Sequence, residues 1–200
     1  MKKIKFAIIG NPISHSLSPT MHNYWFDKYN IKAEYELLNT EESEIQNVIN
    51  KIKDKEIKGI NVTLPYKKTV IPFLSKIIND AKETHSVNTI ILDDHGNLIG
   101  ENTDVFGFQA AYLKSIPRQE KKSKKVLILG AGGVAPSIIY ALLKSNILDI
   151  SLTNRTHERS LFIKKNFKGI NIINWNDFSK YLYKFDIVIN ATSLGLKPSD

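Results

Sequence analysis

Three short polar runs break up the apolar pattern of the N-terminal half. Asn61-Val62-Thr63-Leu64-Pro65-Tyr66-Lys67 follows an apolar run, Val87-Asn88-Thr89 precedes another, and Asn102-Thr103-Asp104 precedes a helical pattern. A lysine ammonium can give its proton to a developing alkoxide, and a carboxylate beside it can orient it while raising its pKa. Lys67 is therefore the candidate general acid–base and Asp104 its partner, with Asn61, Thr63 and Asn88 as candidate hydroxyl-binding groups. Each has a plainer reading. The chain is rich in solvated lysines, aspartate is a preferred helix N-cap, and Asn and Thr favour turns.

A second cluster precedes a helical pattern near the N-terminus, where Ser14, Ser16 and Ser18 alternate before Pro19. Ser18-Pro19 reads as an N-cap followed by proline at the first helical position. Ser16, two residues earlier on an extended segment, can point the same way. Two hydroxyls at a helix N-terminus can hold a carboxylate without a basic residue. The matching substrate is a small hydroxy or keto acid.

Redox chemistry is implied further on. Gly130-Ala131-Gly132-Gly133-Val134-Ala135 follows the apolar run Val126–Leu129 and opens an apolar helical pattern, matching the dinucleotide fingerprint. Glycines let backbone N–H groups approach a pyrophosphate, and the helix N-terminus favours its charge. About twenty residues on, an NAD site usually has an acid for the ribose 2′-OH. Here stand Asn154-Arg155-Thr156 and, one turn later, Arg159. Two of the chain's three arginines lie in this cluster. A guanidinium fork holds a 2′-phosphate, so the cofactor reads as NADP(H) in preference to NAD; two solvated arginines at a helix start are the alternative. A hydride moved to or from carbon needs a partner proton, the task assigned to Lys67.

These residues need strands and helices to position them. Ile4–Ile9, Ala33–Leu38, Gly59–Thr63 and Asn88–Leu92 read as strands, and Thr20–Tyr29, Glu41–Lys53, Lys67–Ile78 and Val105–Lys114 as helices. In Glu41–Lys53, apolar Ile45, Val48, Ile49 and Ile52 repeat at helical spacing. Beyond the basic run, strands at Val126–Leu129, Asp149–Thr153, Gly169–Ile173 and Asp186–Asn190 alternate with helical patterns. The fold class is α/β: a mainly parallel, three-layer α/β/α substrate domain over residues 1–115, a basic linker over 116–124, and an incomplete Rossmann-type NADP-binding domain over 125–200. Four strands are expected there, against about six in a complete dinucleotide fold.

The net charge of +8 sits mostly in Lys114–Lys125, which reads as a solvated linker and argues against a nucleic-acid partner. Phe6–Ile9 is too short for a signal-peptide core, and no apolar run approaches the ~20 residues of a membrane span. The absence of cysteine fits a reducing cytoplasm. His15, His22, His85, His95 and His157 match no metal-ligand spacing, and His22 reads as a packing or hydrogen-bonding residue.

Taken in order, Ser16–Pro19 with His22-Asn23, Asn61–Lys67, Val87–Thr89, Asn102–Asp104, Gly130–Ala135, Asn154–Arg159 and Asn190–Gly195 resemble the shikimate dehydrogenase family over essentially the whole chain. The resemblance implies NADPH-linked reversible reduction of 3-dehydroshikimate to shikimate, in chorismate and aromatic amino-acid biosynthesis, by a monomer or homodimer. It implies that Ser16 and Ser18 hold the carboxylate, that Thr63, Asn88 and Asp104 contact ring hydroxyls, and that Lys67 is the acid–base beside Asp104. It also implies that Gly130, Ala131, Gly132, Gly133, Val134 and Ala135 cradle the pyrophosphate. Asn154, Arg155, Thr156 and Arg159 would take the adenosine phosphate, and Thr192 and Ser193 would lie near the nicotinamide. The chain departs from the family at His85-Ser86, where Gly-Ala is common, and at Asn79, where an acid is common. It is expected to be C-terminally short. Alternative readings are a quinate/shikimate dehydrogenase of broader specificity, against which Asn154-Arg155 argues, and a truncated, non-catalytic binder of shikimate or nucleotide.

Overall fold

The computed structural model describes residues 3–195. Its contacts divide the chain into two compact units, Met1–Thr103 and Asp104–Asp200.

In the first unit the order is β1 (Ile4–Gly10), α1 (Ser18–Lys28), β2 (Ala33–Asn39), α2 (Ile45–Lys53), β3 (Gly59–Val62), β4 (Lys76–Ile77), α3 (Asp80–Thr84), β5 (Thr89–Leu92) and β6 (Leu98–Glu101). The sheet order is β2-β1-β3-β5-β6-β4. β1 pairs in parallel with β2 and β3, and β4 with β6, while β5 runs antiparallel to both its neighbours. The sheet is thus mainly parallel with one reversed strand. Side chains alternate across its pleat. Ala7 and Ile9 join Ile60, Val62 and Ile90 under Ile45, Val48, Ile49 and Ile52 of α2. Phe6 and Ile8 face the other way, with Ile13, Tyr35 and Phe26 of α1. Apolar residues on both faces of β1 are what a sheet covered by helices on each side requires.

The helix expected over Lys67–Ile78 does not form. Residues there wind through turns into a short 3-10 segment, Ile71–Phe73, and then β4. Thr69, Val70 and Ile71 are β-branched, and Pro72 has no N–H and would clash with the carbonyl four residues back. The chain settles for local bonds instead: Val70 N–H to Tyr66 O at 3.1 Å and Ile71 N–H to Lys68 O at 3.1 Å. Pro65 likewise starts no helix.

The second unit contains α4 (Asp104–Ala111), α5 (Arg118–Lys121), β7 (Lys125–Leu129), α6 (Ala135–Lys144), β8 (Asp149–Thr153), α7 (His157–Asn166), β9 (Asn171–Ile172) and β10 (Ile187–Asn190). Its four strands are all parallel, in the order β10-β7-β8-β9. Val126, Ile128, Ile139, Leu142, Ile150 and Leu152 form its core, joined by Val105 and Leu113. The sequence reading set the boundary after residue 115, but α4 packs on α6, where Gln109 Nε2 donates to Ala141 O at 3.3 Å and Ser145 Oγ at 3.1 Å. The basic segment carries the single turn of α5. Among the described residues, no helix is long and apolar enough to cross a membrane.

Candidate active site

In the first unit, sheet register brings the polar runs together. β1, β2, β3 and β6 end at one edge, and the reversed β5 begins there. Asn61 of β3 pairs with Thr89 of β5, which pairs with Glu101 of β6. The runs 61–67, 87–89 and 102–103 therefore leave the sheet side by side. Ligand crevices in open α/β sheets lie at this carboxyl edge. The serine segment leaves β1 at the same place. Thr63 N–H donates to Ile9 O at 2.9 Å and Asn11 N–H to Leu64 O at 3.1 Å. Gly10 makes that close approach possible, because a Cβ there would sit 2.6 Å from Thr63 Cγ2 and 2.9 Å from Leu64 O.

Ser18 is the first helical residue of α1 and not its cap; the cap position is Leu17, and Pro19 follows as the second helical residue. The capping oxygen comes from Ser16, whose Oγ accepts the Ser18 N–H at 3.3 Å. The difference arises because Ser16 N–H turns back to Ile13 O at 2.9 Å, with Ile13 buried as the pivot. That curls the segment and brings the Ser16 hydroxyl over the helix start. Both serines are half-buried, and Ser14 is exposed.

The residues after the serines hold α1 to the sheet. Asn23 Nδ2 donates to Tyr35 O at 3.0 Å, and its Oδ1 accepts Tyr35 N–H at 2.9 Å. The His22 ring stacks on Tyr35, centroids 4.3 Å apart and planes within 10°. Burial pulls the His22 pKa below the usual histidine range. The sequence reading of His22 as a packing residue matches this contact.

Lys67 is half-buried on a well-held backbone. Its carbonyl accepts Val87 N–H at 2.8 Å, and the preceding Tyr66, nearly buried, donates its hydroxyl to Thr40 O at 2.7 Å. Asn88 is buried and its amide orientation is determined: Oδ1 accepts Thr103 N–H at 3.0 Å, and a backbone N–H can only donate. Asn88 Nδ2 donates to Thr103 Oγ1 at 3.0 Å. Asn61 Nδ2 donates to Asn88 O at 3.2 Å and Thr89 Oγ1 at 3.1 Å. Asn79 has a positive φ of 49° and donates its side-chain amide to Glu101. Asp104, half-buried, opens α4, where a carboxylate suits the helix dipole.

In the second unit, chain order reverses across the sheet between β7 and β10, the switch point at which dinucleotides bind. Gly130 sits there with φ 104°, its N–H on Thr153 O at 2.8 Å. A Cβ would lie 2.8 Å from Ala191 O and 2.9 Å from Thr192 Cγ2, so only glycine lets the loop pass the end of β10. At Gly132 the nearest atom to a built Cβ is Ala191 O at 3.7 Å, leaving its surface bare for a ligand. The loop runs through Gly133 and Val134 into α6, which begins at Ala135. Ala131 N–H donates to Asn154 Oδ1 at 3.0 Å, so Asn154 braces the glycine loop from the end of β8. Arg155, Thr156 and Arg159 are exposed around the start of α7, and among the described residues neither guanidinium has a carboxylate partner. The turn after β10 is braced from within: Thr192 N–H and hydroxyl donate to Asn190 Oδ1 at 3.0 and 2.6 Å, leaving Ser193 exposed. A bare glycine cradle at a helix N-terminus, with exposed guanidinium groups at the end of the second strand, fits NADP(H).

A residue that the sequence reading passed over is Tyr35, which reads as an ordinary strand tyrosine; its partners Asn23 and Asn61 lie far from it along the chain, so no local signal marks it.

The profile described as shikimate dehydrogenase substrate binding domain matches residues 8–90, and that described as shikimate / quinate 5-dehydrogenase matches residues 113–195. The chain is 48% identical over 200 residues to a shikimate dehydrogenase (NADP(+)) of Pelagibacter ubique, covering 100% of this chain and 72% of that one. It is similar to the crystal structure of Aquifex aeolicus shikimate dehydrogenase, with a TM-score of 0.89 and 34% identity over 99% of this chain and 72% of that one. The Thermus thermophilus enzyme in complex with NADP(H) and shikimate is also similar, with a TM-score of 0.83 and 29% identity over 96% of this chain and 70% of that one. The chain belongs to the shikimate dehydrogenase family.

Proposed function

We propose that the chain catalyses the reversible NADPH-dependent reduction of 3-dehydroshikimate to shikimate, in the cytoplasm, on the route to chorismate and the aromatic amino acids. The observation that carries this reading is the 48% identity to an NADP(+)-linked shikimate dehydrogenase sustained over all 200 residues. In this role the Ser16 and Ser18 hydroxyls take the substrate carboxylate at the start of α1. Asn61, Thr63, Asn88 and Asp104 bind or position the ring hydroxyls. NADPH, when bound, supplies the hydride. Lys67 gives its ammonium proton to the oxygen that becomes the new hydroxyl and takes it back in the reverse direction, with Asp104 orienting it. Gly130–Val134 and the N-terminus of α6 take the pyrophosphate, Asn154 holds that loop in place, and Arg155, Thr156 and Arg159 take the 2′-phosphate. Thr192 and Ser193 serve the nicotinamide end.

The test is NADPH oxidation with 3-dehydroshikimate, followed in the wild-type chain and in Lys67→Ala. The wild type turns over, and the variant loses kcat by about 100- to 10,000-fold while still binding shikimate. Near-normal turnover in Lys67→Ala would leave Lys67 as a surface lysine. Running the reverse assay with quinate beside shikimate decides whether the specificity is broader.

A further inference from the structure

We propose that Tyr35 is a positioning residue of the substrate site, setting the Asn61 amide and, through it, the hold on Asn88. The inference rests on the shikimate reading above.

Tyr35 is 5% exposed, and its hydroxyl donates to Asn61 Oδ1 at 2.7 Å across 26 residues of sequence. Nothing about that hydroxyl is loose. Asn23 clamps the Tyr35 backbone on both its N–H and its carbonyl, and His22 lies flat on the ring. Burial also pushes the phenol above its ordinary pKa, so it stays protonated and remains a donor.

An amide oxygen only accepts, so a phenol on Asn61 Oδ1 turns Asn61 Nδ2 toward Asn88 O and Thr89 Oγ1. A threonine hydroxyl has one proton. Having accepted from Asn61, Thr89 spends that proton on Asn88 Oδ1 at 3.0 Å. Asn88 Oδ1 is thereby held by Thr89 and by Thr103 N–H together, and the nitrogen edge of its amide is kept in one place. Without the Tyr35 hydroxyl, Asn61 Oδ1 has lost its donor. The amide is then held from its nitrogen edge alone, and as it loosens so does the Thr89 hydroxyl that it fixes as a donor to Asn88 Oδ1. The loss would reach a ligand through the hydroxyl that Asn88 serves. A tyrosine that merely packs between α1 and the sheet would give no such signature, because Tyr35→Phe keeps the ring, the stack on His22 and the backbone clamp.

The experiment is calorimetric titration of wild type, Tyr35→Phe, Asn61→Ala and the double variant with shikimate, with the monodeoxy shikimates lacking one ring hydroxyl each, and with NADP+. Tyr35→Phe weakens shikimate binding by about five- to tenfold, the worth of one hydrogen bond. The weakening disappears for one monodeoxy analogue, NADP+ binding is unchanged, and in the Asn61→Ala background the tyrosine change adds nothing. Equal affinity of wild type and Tyr35→Phe for shikimate overturns the inference. So does a weakening spread over every analogue, or one that adds fully to Asn61→Ala. Should Tyr35→Phe not fold, the wild-type NMR spectrum decides. A slowly exchanging Tyr35 hydroxyl proton close to the Asn61 side-chain amide, shifting on shikimate titration, supports the role, and a freely exchanging one overturns it. If wild type binds no shikimate, the functional reading fails and takes this inference with it. If it binds and only the variant results disagree, this inference alone fails.

Discussion

At the scale of single residues, the polar side chains of the candidate site do two kinds of work. Some are exposed at the surface, and others brace the chain around them. Arg155 belongs to the first kind: it is exposed at the end of β8 with no carboxylate partner among the described residues. Arg155→Ala is expected to raise the KM for NADP+ by roughly 10- to 100-fold, the worth of a charge-assisted contact, and to change the KM for NAD+ little. Steady-state rates with the two cofactors measure it, and equal effects would remove the 2′-phosphate assignment. Asn154 does the second kind of work, at least toward its own chain, since its oxygen is taken by Ala131 N–H. The position of Asn154 was legible because it stands about twenty residues past the glycine loop. Its hold on that loop was not, because spacing names a place on the fold and not the bond formed there.

At the scale of elements, α1 begins at Ser18 and carries His22, which stacks on Tyr35 of β2, so its seating is open to a pH test. Burial holds His22 below the usual histidine pKa. Between that depressed value and the ordinary one of ~6.5 the unfolded chain binds more protons than the folded chain, so stability rises with pH across this window. Acidification from about pH 7 to below pH 6 therefore lowers the thermal midpoint. His22→Phe keeps a ring on Tyr35 but cannot titrate, so it should flatten that part of the pH dependence. Midpoints recorded at several pH values for both proteins measure it, and an unchanged slope would show that His22 does not contribute. Elements differed widely in legibility. α2 was plain from its apolar spacing. β4, with two residues, is too short to show a period, and the helix wrongly expected over Lys67–Ile78 was undone by Pro72 and three β-branched neighbours.

At the scale of the whole molecule, each unit has a core of its own. Ile139 is fully buried in the second, against the strands that present the glycine loop. Ile139→Ala is expected to cost about 2–5 kcal/mol. Amide exchange protection should fall in β7 and β8 well before it falls in β1 and β3. Hydrogen exchange read by mass spectrometry follows both, and simultaneous loss in the two units would show that they unfold as one. Two units are expected from sequence because strand–helix alternation restarts after the basic run. The division itself falls earlier than that run, because Val105 and Leu113 are drawn into the second core, and burial of apolar side chains outweighs a hydrophilic stretch as a marker of where a unit begins.

What the sequence determined by itself is what local pattern can carry. Short continuous apolar runs mark buried strands, i, i+3, i+4 spacing marks α2, and a glycine loop after an apolar run marks the tight turn from β7 into α6. Tertiary structure alone decided which polar groups meet. Asn61 lies beside Thr89 because β5 runs backward between β3 and β6, Tyr35 reaches Asn61 because β1 separates their strands, and Gly130 is pressed against Ala191 because β10 returns to the side of β7. The reason is physical. Hydrophobic periodicity is written into neighbouring residues by the geometry of a single helix or strand. Hydrogen-bond partners are set by strand order and register, which emerge only when distant segments bury their apolar faces together.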